Sequence, residues 1–120
     1  DAEPESTMGR YIDAHVHVWT PDTARYPLPP GRDVEQMRPP SFTPEELFAH
    51  CRPSGVGRIN LIQMSFYEDD HSYMLWAMEA YPGVFAGTGL LGGVLTAARP
   101  AVERMIELAG RGVAASATSR

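Results

Sequence analysis

Hydrophobic residues along the chain follow a strand pattern in some segments and a helix pattern in others. Residues 11–19 alternate like a strand, and residues 56–67 contain an almost continuous apolar run from Ile59 to Met64. Such a run is typical of a strand buried on both faces of a parallel sheet. A third, Gly-rich strand is predicted over residues 84–94. Strands that alternate with helices indicate an α/β fold in which right-handed crossovers join parallel strands.

Three helices are predicted between and after these strands. Thr43 and Glu46 form a capping box, which predicts that a helix begins here. The second helix is predicted over residues 68–83, with Asp69 or Asp70 as its cap, and the third helix is predicted over residues 96–110. The residues of the third helix with core spacing are Val102, Met105, Ile106 and Ala109.

A long proline-rich segment, residues 20–42, separates the first strand from the first helix. Its prolines exclude a regular helix or a central strand, and loops of this length in compact domains are usually functional or disordered. Arg25 and Tyr26 in this loop, with Trp19 just before it, are the candidate substrate-binding residues, since Arg binds a carboxylate through two parallel hydrogen bonds. Arg32 of the same loop is predicted to form part of the same substrate wall. The alternative for Trp19 is an aromatic side chain packed at the mouth of the site.

The sequence DAHVHVW, residues 13–19, carries the candidate chemistry. Residues two apart share a face of a strand. Asp13, His15 and His17 are therefore predicted on one face with Trp19. The opposite, apolar face is predicted to consist of Ile12, Ala14, Val16 and Val18.

The polar face of this strand needs a partner, because a buried polar group without one costs about 1–3 kcal/mol. A divalent metal ion is such a partner, since neutral imidazole is a common ligand of zinc. His15 and His17 are predicted to be ligands, and Asp13 either ligates weakly or accepts the other N–H of a histidine. The alternative is a pair of core histidines held by hydrogen bonds.

The two other histidines do not complete the site from sequence alone. A catalytic zinc ion usually has three protein ligands. His50, late in the first helix, is predicted to be a solvated surface residue. His71 is predicted in a charged N-terminal turn of the second helix, and the alternative is that it faces the site. No catalytic residue beyond the metal ligands is identified.

Composition narrows the class of protein. The chain has 120 residues, 43% apolar residues and a net charge of −5, which favour one globular domain and argue against a nucleic-acid-binding surface. No apolar run is long enough for a transmembrane helix. The single cysteine, Cys51, fits a reducing compartment, and a cytoplasmic location is predicted. Residues 1–10 are expected to form a flexible segment.

Two stretches of the chain resemble a known family. YIDAHVHVW, residues 11–19, resembles the first strand of the amidohydrolase-related metal-dependent hydrolases, nearest their lactonase and decarboxylase branch. Residues 59–91 resemble the second strand, second helix and third strand of that family. Met64 and His71 depart from it, because proline and asparagine are common at these places. The resemblance covers about residues 10–113.

The resemblance implies a partial (β/α)8 TIM barrel of about three βα units, over residues 11–113. It implies that His15 and His17 ligate a divalent metal, with zinc expected and manganese as an alternative. It also implies hydrolysis of a small-molecule lactone, ester or amide by metal-activated water, with the remaining ligands on later strands absent from this chain. The chain is then an N-terminal fragment that is inactive alone.

Two alternatives to hydrolysis stay open. One is a non-catalytic partial barrel that self-associates through exposed sheet edges. The other is non-oxidative decarboxylation on the same scaffold.

The C-terminal segment AASATSR, residues 114–120, has no apolar periodicity. It is predicted to be a disordered or non-native tail rather than a fourth strand. A shift of reading frame after Val113 is a hypothesis that would account for it, and genomic sequence beyond that codon tests it.

Overall fold

The computed structural model describes residues 10–91 and 98–117, and for residues 91, 98–102 and 115–117 it describes the backbone alone. Residues 1–9, which make up most of the predicted flexible segment, lie outside the described residues. The order of strands and helices is β-α-β-α-β-α-β, as follows: β1 Tyr11–Val16, α1 Pro44–Cys51, β2 Val56–Ile62, α2 Ser72–Ala80, β3 Phe85–Leu91, α3 Ala98–Gly110 and β4 Val113–Ala117.

The four strands form one sheet in the order β1-β2-β3-β4, and all three pairs are parallel. A helix connects each strand to the next, as the alternating pattern predicts. Helix α1 begins where expected: the Thr43 side chain accepts the N–H of Glu46, and the Glu46 carboxylate accepts the N–H of Thr43. The α/β prediction is confirmed.

The hydrophobic core lies between the helices and one face of the sheet. Ile59 and Leu61 of β2 are almost fully buried there. The helices contribute Leu47, Phe48, Tyr73, Met74, Ala77 and Leu108 to the same cluster. Asn60 and Ile62 alternate with the buried residues of β2 and therefore belong to the opposite face, where both are half-buried.

A bulge in β1 corrects the predicted assignment of its faces. Asp13 pairs with Ile59 and Val16 pairs with Leu61, so three steps along β1 match two steps along β2. The extra residue in β1 shifts by one position the alternation of its side chains between the two faces of the sheet. Asp13 therefore lies beside the buried positions of β2, and the prediction that it shares a face with His15 and His17 is wrong. Ile12 lies on the edge strand and is 64% exposed, contrary to the predicted apolar face.

Two strands are shorter than predicted. Strand β1 ends at Val16 rather than at residue 19, and β2 ends at Ile62 rather than at residue 67. After β2, residues Ser65–Tyr67 form a 3-10 turn. The apolar residues beyond the two strand ends pack as connecting loops. The prediction for β3 over residues 92–94 lies outside the described residues.

The C-terminal segment forms a strand up to residue 117, and the expectation of an unstructured tail is wrong for that part. Val113–Ala117 pairs in parallel with β3, from Gly87 opposite Val113 to Leu91 opposite Ala117. The free edge of β3 supplies backbone partners, which do not depend on the small side chains of this segment. Residues 118–120 lie outside the described residues, and the change of reading frame stays a prediction.

Helix α3 turns a different side toward the sheet than predicted. Leu108 is fully buried, whereas Met105 and Ile106 are 38% and 68% exposed and Ala109 is exposed. Arg104, one turn before Leu108, reaches the ring of His71, so the row containing Arg104 and Leu108 faces the sheet. The aliphatic stem of Arg104 takes a position that a hydrophobic pattern reserves for an apolar residue. The side chain of Val102 lies outside the described residues.

His71 is a buried anchor rather than part of a charged, solvated turn. Its ring is fully buried, and Nε2 accepts the N–H of Leu90 at 2.9 Å. Nδ1 therefore carries the proton and donates to the Asp69 carbonyl at 2.8 Å. Burial is the main cause that lowers the pKa of His71, and the Arg104 charge acts in the same direction. The neutral ring thus joins the loop before α2 to the end of β3.

The ring of His71 leaves no room for a side chain at Gly89. A Cβ atom there would lie 2.9 Å from His71 Nε2 and 3.2 Å from Leu108 Cδ1. Because hydrogen bonds hold both ring nitrogens, we expect Gly89→Ala to lower the free energy of unfolding by about 1–3 kcal/mol, measured by urea denaturation.

Gly87→Ala is the matched control for this prediction, since Gly87 lies two residues earlier on β3. A Cβ atom there meets Met74 Sδ at 2.8 Å and Met78 Sδ at 3.0 Å. Methionine side chains are flexible and can move aside, so a smaller loss is expected. Equal losses in the two variants would show that the fixed imidazole is not the cause.

Candidate metal centre at the carboxyl end of the sheet

His15 and His17 lie together where β1 ends. Their ring centroids are 5.0 Å apart and the ring planes are nearly perpendicular, at 88°. His15 is exposed and His17 is half-buried. In parallel α/β folds the carboxyl ends of the strands are where ligands bind, so the two imidazoles stand at the expected edge of the sheet.

A backbone carbonyl orients the ring of His17. Nδ1 of His17 lies 2.9 Å from the carbonyl oxygen of Ile62, the last residue of β2. A carbonyl can only accept, so Nδ1 carries a proton, and in the neutral ring the lone pair is then on Nε2. Histidine ligands of metals commonly donate their other ring N–H to a carbonyl or carboxylate in this way. The donor chemistry of His17 therefore fits a metal ion, with Nε2 as the ligand atom.

Asp13 does not orient either imidazole. Its carboxylate Oδ1 accepts the backbone N–H of His15 at 3.2 Å. The bulge places Asp13 on the helix side of β1. Burial is the main cause that raises the pKa of the Cys51 thiol, and the charge of Asp13 acts in the same direction. The carbonyl of Ile62 takes the orienting role that the sequence suggested for Asp13.

Two amide side chains, one within β2 and one directly after it, bind backbone carbonyls. Asn60 Nδ2 donates to the Ala14 carbonyl at 3.2 Å and to Thr88 Oγ1 at 3.1 Å. Gln63 is buried and donates to the carbonyls of Glu68 and Asp70. Neither residue was predicted to be functional from the sequence. The feature that could have indicated them is a polar amide within a run that is otherwise apolar.

The loop after β2 is held in an unusual conformation. Glu68 has φ of 52° and ψ of −121°, a positive φ that residues other than glycine rarely adopt. Gln63 binds its carbonyl, and its carboxylate forms an ion pair with Arg32 at 3.0 Å. Backbone strain of this kind persists where surrounding contacts fix it and is common near functional sites.

Several contacts anchor the proline-rich loop to the same edge. Trp19 exchanges backbone hydrogen bonds with Phe42, and its Nε1 donates to the Pro39 carbonyl at 2.8 Å. At the start of the loop, the hydroxyl of Tyr67 accepts the N–H of Thr20. The loop therefore follows a defined path beside the carboxyl ends of β1 and β2.

The three candidate substrate-binding residues differ in the exposure and the contacts of their side chains. Trp19 is half-buried and contacts the rings of Phe42 and Phe66, which matches the packed alternative. Tyr26 stacks edge-on against Tyr73, with centroids 4.9 Å apart. Arg25 is exposed, and only its backbone N–H is bonded, to Asp22, among the contacts that the structure describes.

The described residues bring together two candidate metal ligands, His15 and His17. His50 is exposed on α1, as predicted, and His71 is committed to backbone contacts. Within residues 10–91 and 98–117 no group of three or more His, Cys, Asp or Glu side chains could hold a metal ion. The pair of His15 and His17 thus fits part of a coordination sphere.

A family model described as amidohydrolase matches residues 12–117. The chain belongs to the amidohydrolase family. The match begins in β1, just before the two histidines, and runs to the end of β4. Amidohydrolases are generally metal-dependent, and hydrolysis is the type of reaction that the family supports. The predicted family is confirmed.

Two solved structures share the fold of this amidohydrolase chain. One is a candidate 2-pyrone-4,6-dicarboxylic acid hydrolase from Pseudomonas putida, with a TM-score of 0.56 and 24% sequence identity. The other, a candidate for the same activity from Acinetobacter baumannii with citric acid bound, has a TM-score of 0.55 and 17% identity. Each alignment covers 85% of this chain and 34% of the other.

The four-stranded sheet therefore corresponds to about a third of an amidohydrolase TIM barrel, and the predicted partial barrel is confirmed. A search of curated proteins found no match. None of the helices in the described part of the chain is long and apolar enough to cross a membrane.

Proposed function

We propose that this chain carries the first-strand metal ligands of a metal-dependent hydrolase. The observation that supports this most is the hydrogen bond from His17 Nδ1 to the Ile62 carbonyl, which leaves Nε2 free beside the ring of His15. Zinc is the expected ion and manganese the alternative. Two ligands are fewer than a catalytic zinc site usually has, so the proposal includes further ligands from outside the described residues.

Such an ion, when bound, would lower the pKa of a water molecule and so activate it for attack on a carbonyl. The residues of this chain would hold and orient that ion. The Ile62 carbonyl fixes the tautomer and direction of His17, and the exposed His15 can turn toward the same point. The proposed reaction is hydrolysis of a lactone, ester or amide.

The proposed substrate is a small molecule that carries a carboxylate. The proline-rich loop, with Trp19, Arg25 and Tyr26, would form one wall of its site. Arg25 is exposed and can bind a carboxylate through two parallel hydrogen bonds. The neighbouring structures support this class, because one was solved with citric acid and both are described as hydrolases of a dicarboxylic acid. A cytoplasmic location belongs to the proposal, because Cys51 is the only cysteine.

Equilibrium dialysis against Zn²⁺ and Mn²⁺ tests the proposal on the chain itself. We expect one ion per chain. The loaded chain should hydrolyse lactones, esters and amides no faster than the same metal in buffer, because its coordination is incomplete. Absence of binding would contradict the assignment of the ligands, and metal-dependent turnover by this chain alone would contradict the need for further ligands.

We also propose that the chain self-associates through its sheet edges. Strands β1 and β4 are the edge strands, and on β1 the side chains of Tyr11 and Ile12 are 63% and 64% exposed. Edge strands with exposed apolar side chains are sites of intermolecular pairing unless charges or a covering element block them.

Replacing Ile12 by lysine tests this proposal. Light scattering coupled to gel filtration should show a mass that rises with concentration for the parent chain, and monomers for Ile12→Lys, because a charge on an edge strand opposes pairing. Val34→Lys is the control, since Val34 is 53% exposed but lies in the proline-rich loop. A parent chain that is monomeric throughout, or a control that dissociates as completely, would contradict pairing at this edge.

A further inference from the structure

The bulge in β1 decides where His15 lies. Asp13 pairs with Ile59 and Val16 with Leu61, so Ala14 and His15 together occupy the place opposite Asn60. A regular strand would have one residue there. Without the extra residue, the alternation of side chains would shift by one, and a one-residue slip moves a side chain to the other face of a sheet.

The side chain of Asn60 binds the backbone at this bulge. Its Nδ2 donates to the carbonyl oxygen of Ala14 at 3.2 Å, and to Thr88 Oγ1 on β3 at 3.1 Å. The amide thus connects three strands through one nitrogen. Irregular backbone loses ladder hydrogen bonds, and a carbonyl at a bulge needs another donor. Asn60 supplies that donor to the residue immediately before His15.

We infer that Asn60 is a positioning residue for the metal ligand His15. By binding the Ala14 carbonyl, it stabilises the bulge that keeps the His15 ring beside His17. The carbonyl of Ile62 orients His17 in a similar way, so both imidazoles depend on β2 for their placement. This inference rests on the proposed function, because it assigns Asn60 a role toward the same metal ion.

Asn60→Val removes the amide and keeps a residue suited to a strand. We expect the Kd of the chain for Co²⁺ to rise about tenfold or more, as is usual when a hydrogen bond that supports a metal ligand is lost. The visible absorption bands of bound Co²⁺ should change as well. Asn60→Ser, whose hydroxyl is too short to reach Ala14, provides a second variant with the same expected result.

Thr88→Val is the matched control, because it removes the other partner of the amide and leaves the contact with Ala14. The rise in Kd is expected to be smaller for Thr88→Val than for either Asn60 variant. If both Asn60 variants are less stable in thermal unfolding but bind Co²⁺ with the Kd and the spectrum of the parent chain, Asn60 has a purely structural role and the inference is wrong.

A measurement on the metal-free chain separates this inference from the proposed function. The rings of His15 and His17 are close enough for a nuclear Overhauser contact, with centroids 5.0 Å apart. The contact should be present in the parent chain and lost in Asn60→Val. If the parent chain binds no Co²⁺, the proposed function fails, and this contact still decides whether Asn60 places His15. A contact that persists in Asn60→Val overturns the inference.

Discussion

Replacing His15 and His17 together by alanine is expected to abolish binding of Zn²⁺ to the chain. The described residues contain no group of three or more possible ligands, so no such group among them can replace the two imidazoles. Each single replacement should weaken binding by more than the roughly 10- to 100-fold that loss of an outer hydrogen-bond partner costs. Isothermal titration calorimetry of the parent chain and the three variants measures these effects.

His50→Ala is the control for these variants. His50 is exposed on α1, and its ring lies against Phe42 at 6.1 Å between centroids. Its loss removes an imidazole without touching β1, and Zn²⁺ should bind as it does to the parent chain. Loss of binding in His50→Ala, or unchanged binding in the double variant, would show that the ion is held elsewhere.

His71→Ala is expected to produce a large loss of stability. The replacement leaves a cavity and removes the acceptor of the Leu90 N–H and the donor to the Asp69 carbonyl. The two effects together should lower the free energy of unfolding by roughly 2–4 kcal/mol, measured by urea denaturation at pH 7.5. His50→Ala should change it little, since surface replacements usually remain within about 0.5 kcal/mol.

The same residue gives stability a defined dependence on pH. Burial, followed by the charge of Arg104, lowers the pKa of His71 below the ordinary value of 6.5, while the hydrogen bond to Asp69 and the charges of Asp69 and Asp70 oppose this shift. The unfolded chain therefore binds a proton near pH 6.5, where the folded chain resists it. The contribution of His71 to the free energy of unfolding is therefore fully present above pH 6.5 and decreases as the pH falls below that value.

Comparison with His71→Leu isolates this effect from the other titrating groups. The leucine variant is expected to be less stable than the parent chain at pH 7.5, because it lacks the hydrogen bonds of the imidazole. The difference should narrow between pH 6.5 and pH 5, because only the parent chain loses the contribution of His71. A difference that stays constant over this range would show that His71 does not titrate with folding.

Much of the fold could be predicted from local patterns. The capping box at Thr43 and the apolar run from Ile59 specified a helix and a buried strand, and the structure contains both. Strand β4 was missed because its residues are small. Their pairing depends on the free edge of β3, which no pattern within residues 113–117 reveals.

The candidate site was predictable only in part, because some of its geometry depends on contacts between residues far apart in the sequence. The spacing of His15 and His17 predicted two neighbouring imidazoles, and the structure brings the rings together. The strict alternation assumed for β1 failed at the bulge, because the register of β1 depends on contacts with β2 that lie far away in sequence. The buried role of His71 also depends on a remote partner, the N–H of Leu90.

X-ray absorption at the zinc edge shows whether His15 and His17 bind the ion. With one equivalent of Zn²⁺ bound to the chain, we expect two imidazole nitrogens at about 2.0 Å, with oxygen atoms completing the coordination. In the variant that lacks His15 and His17, the imidazole signal should disappear. A zinc ion surrounded by oxygen atoms alone in the parent chain would contradict the assignment of His15 and His17 as the metal ligands.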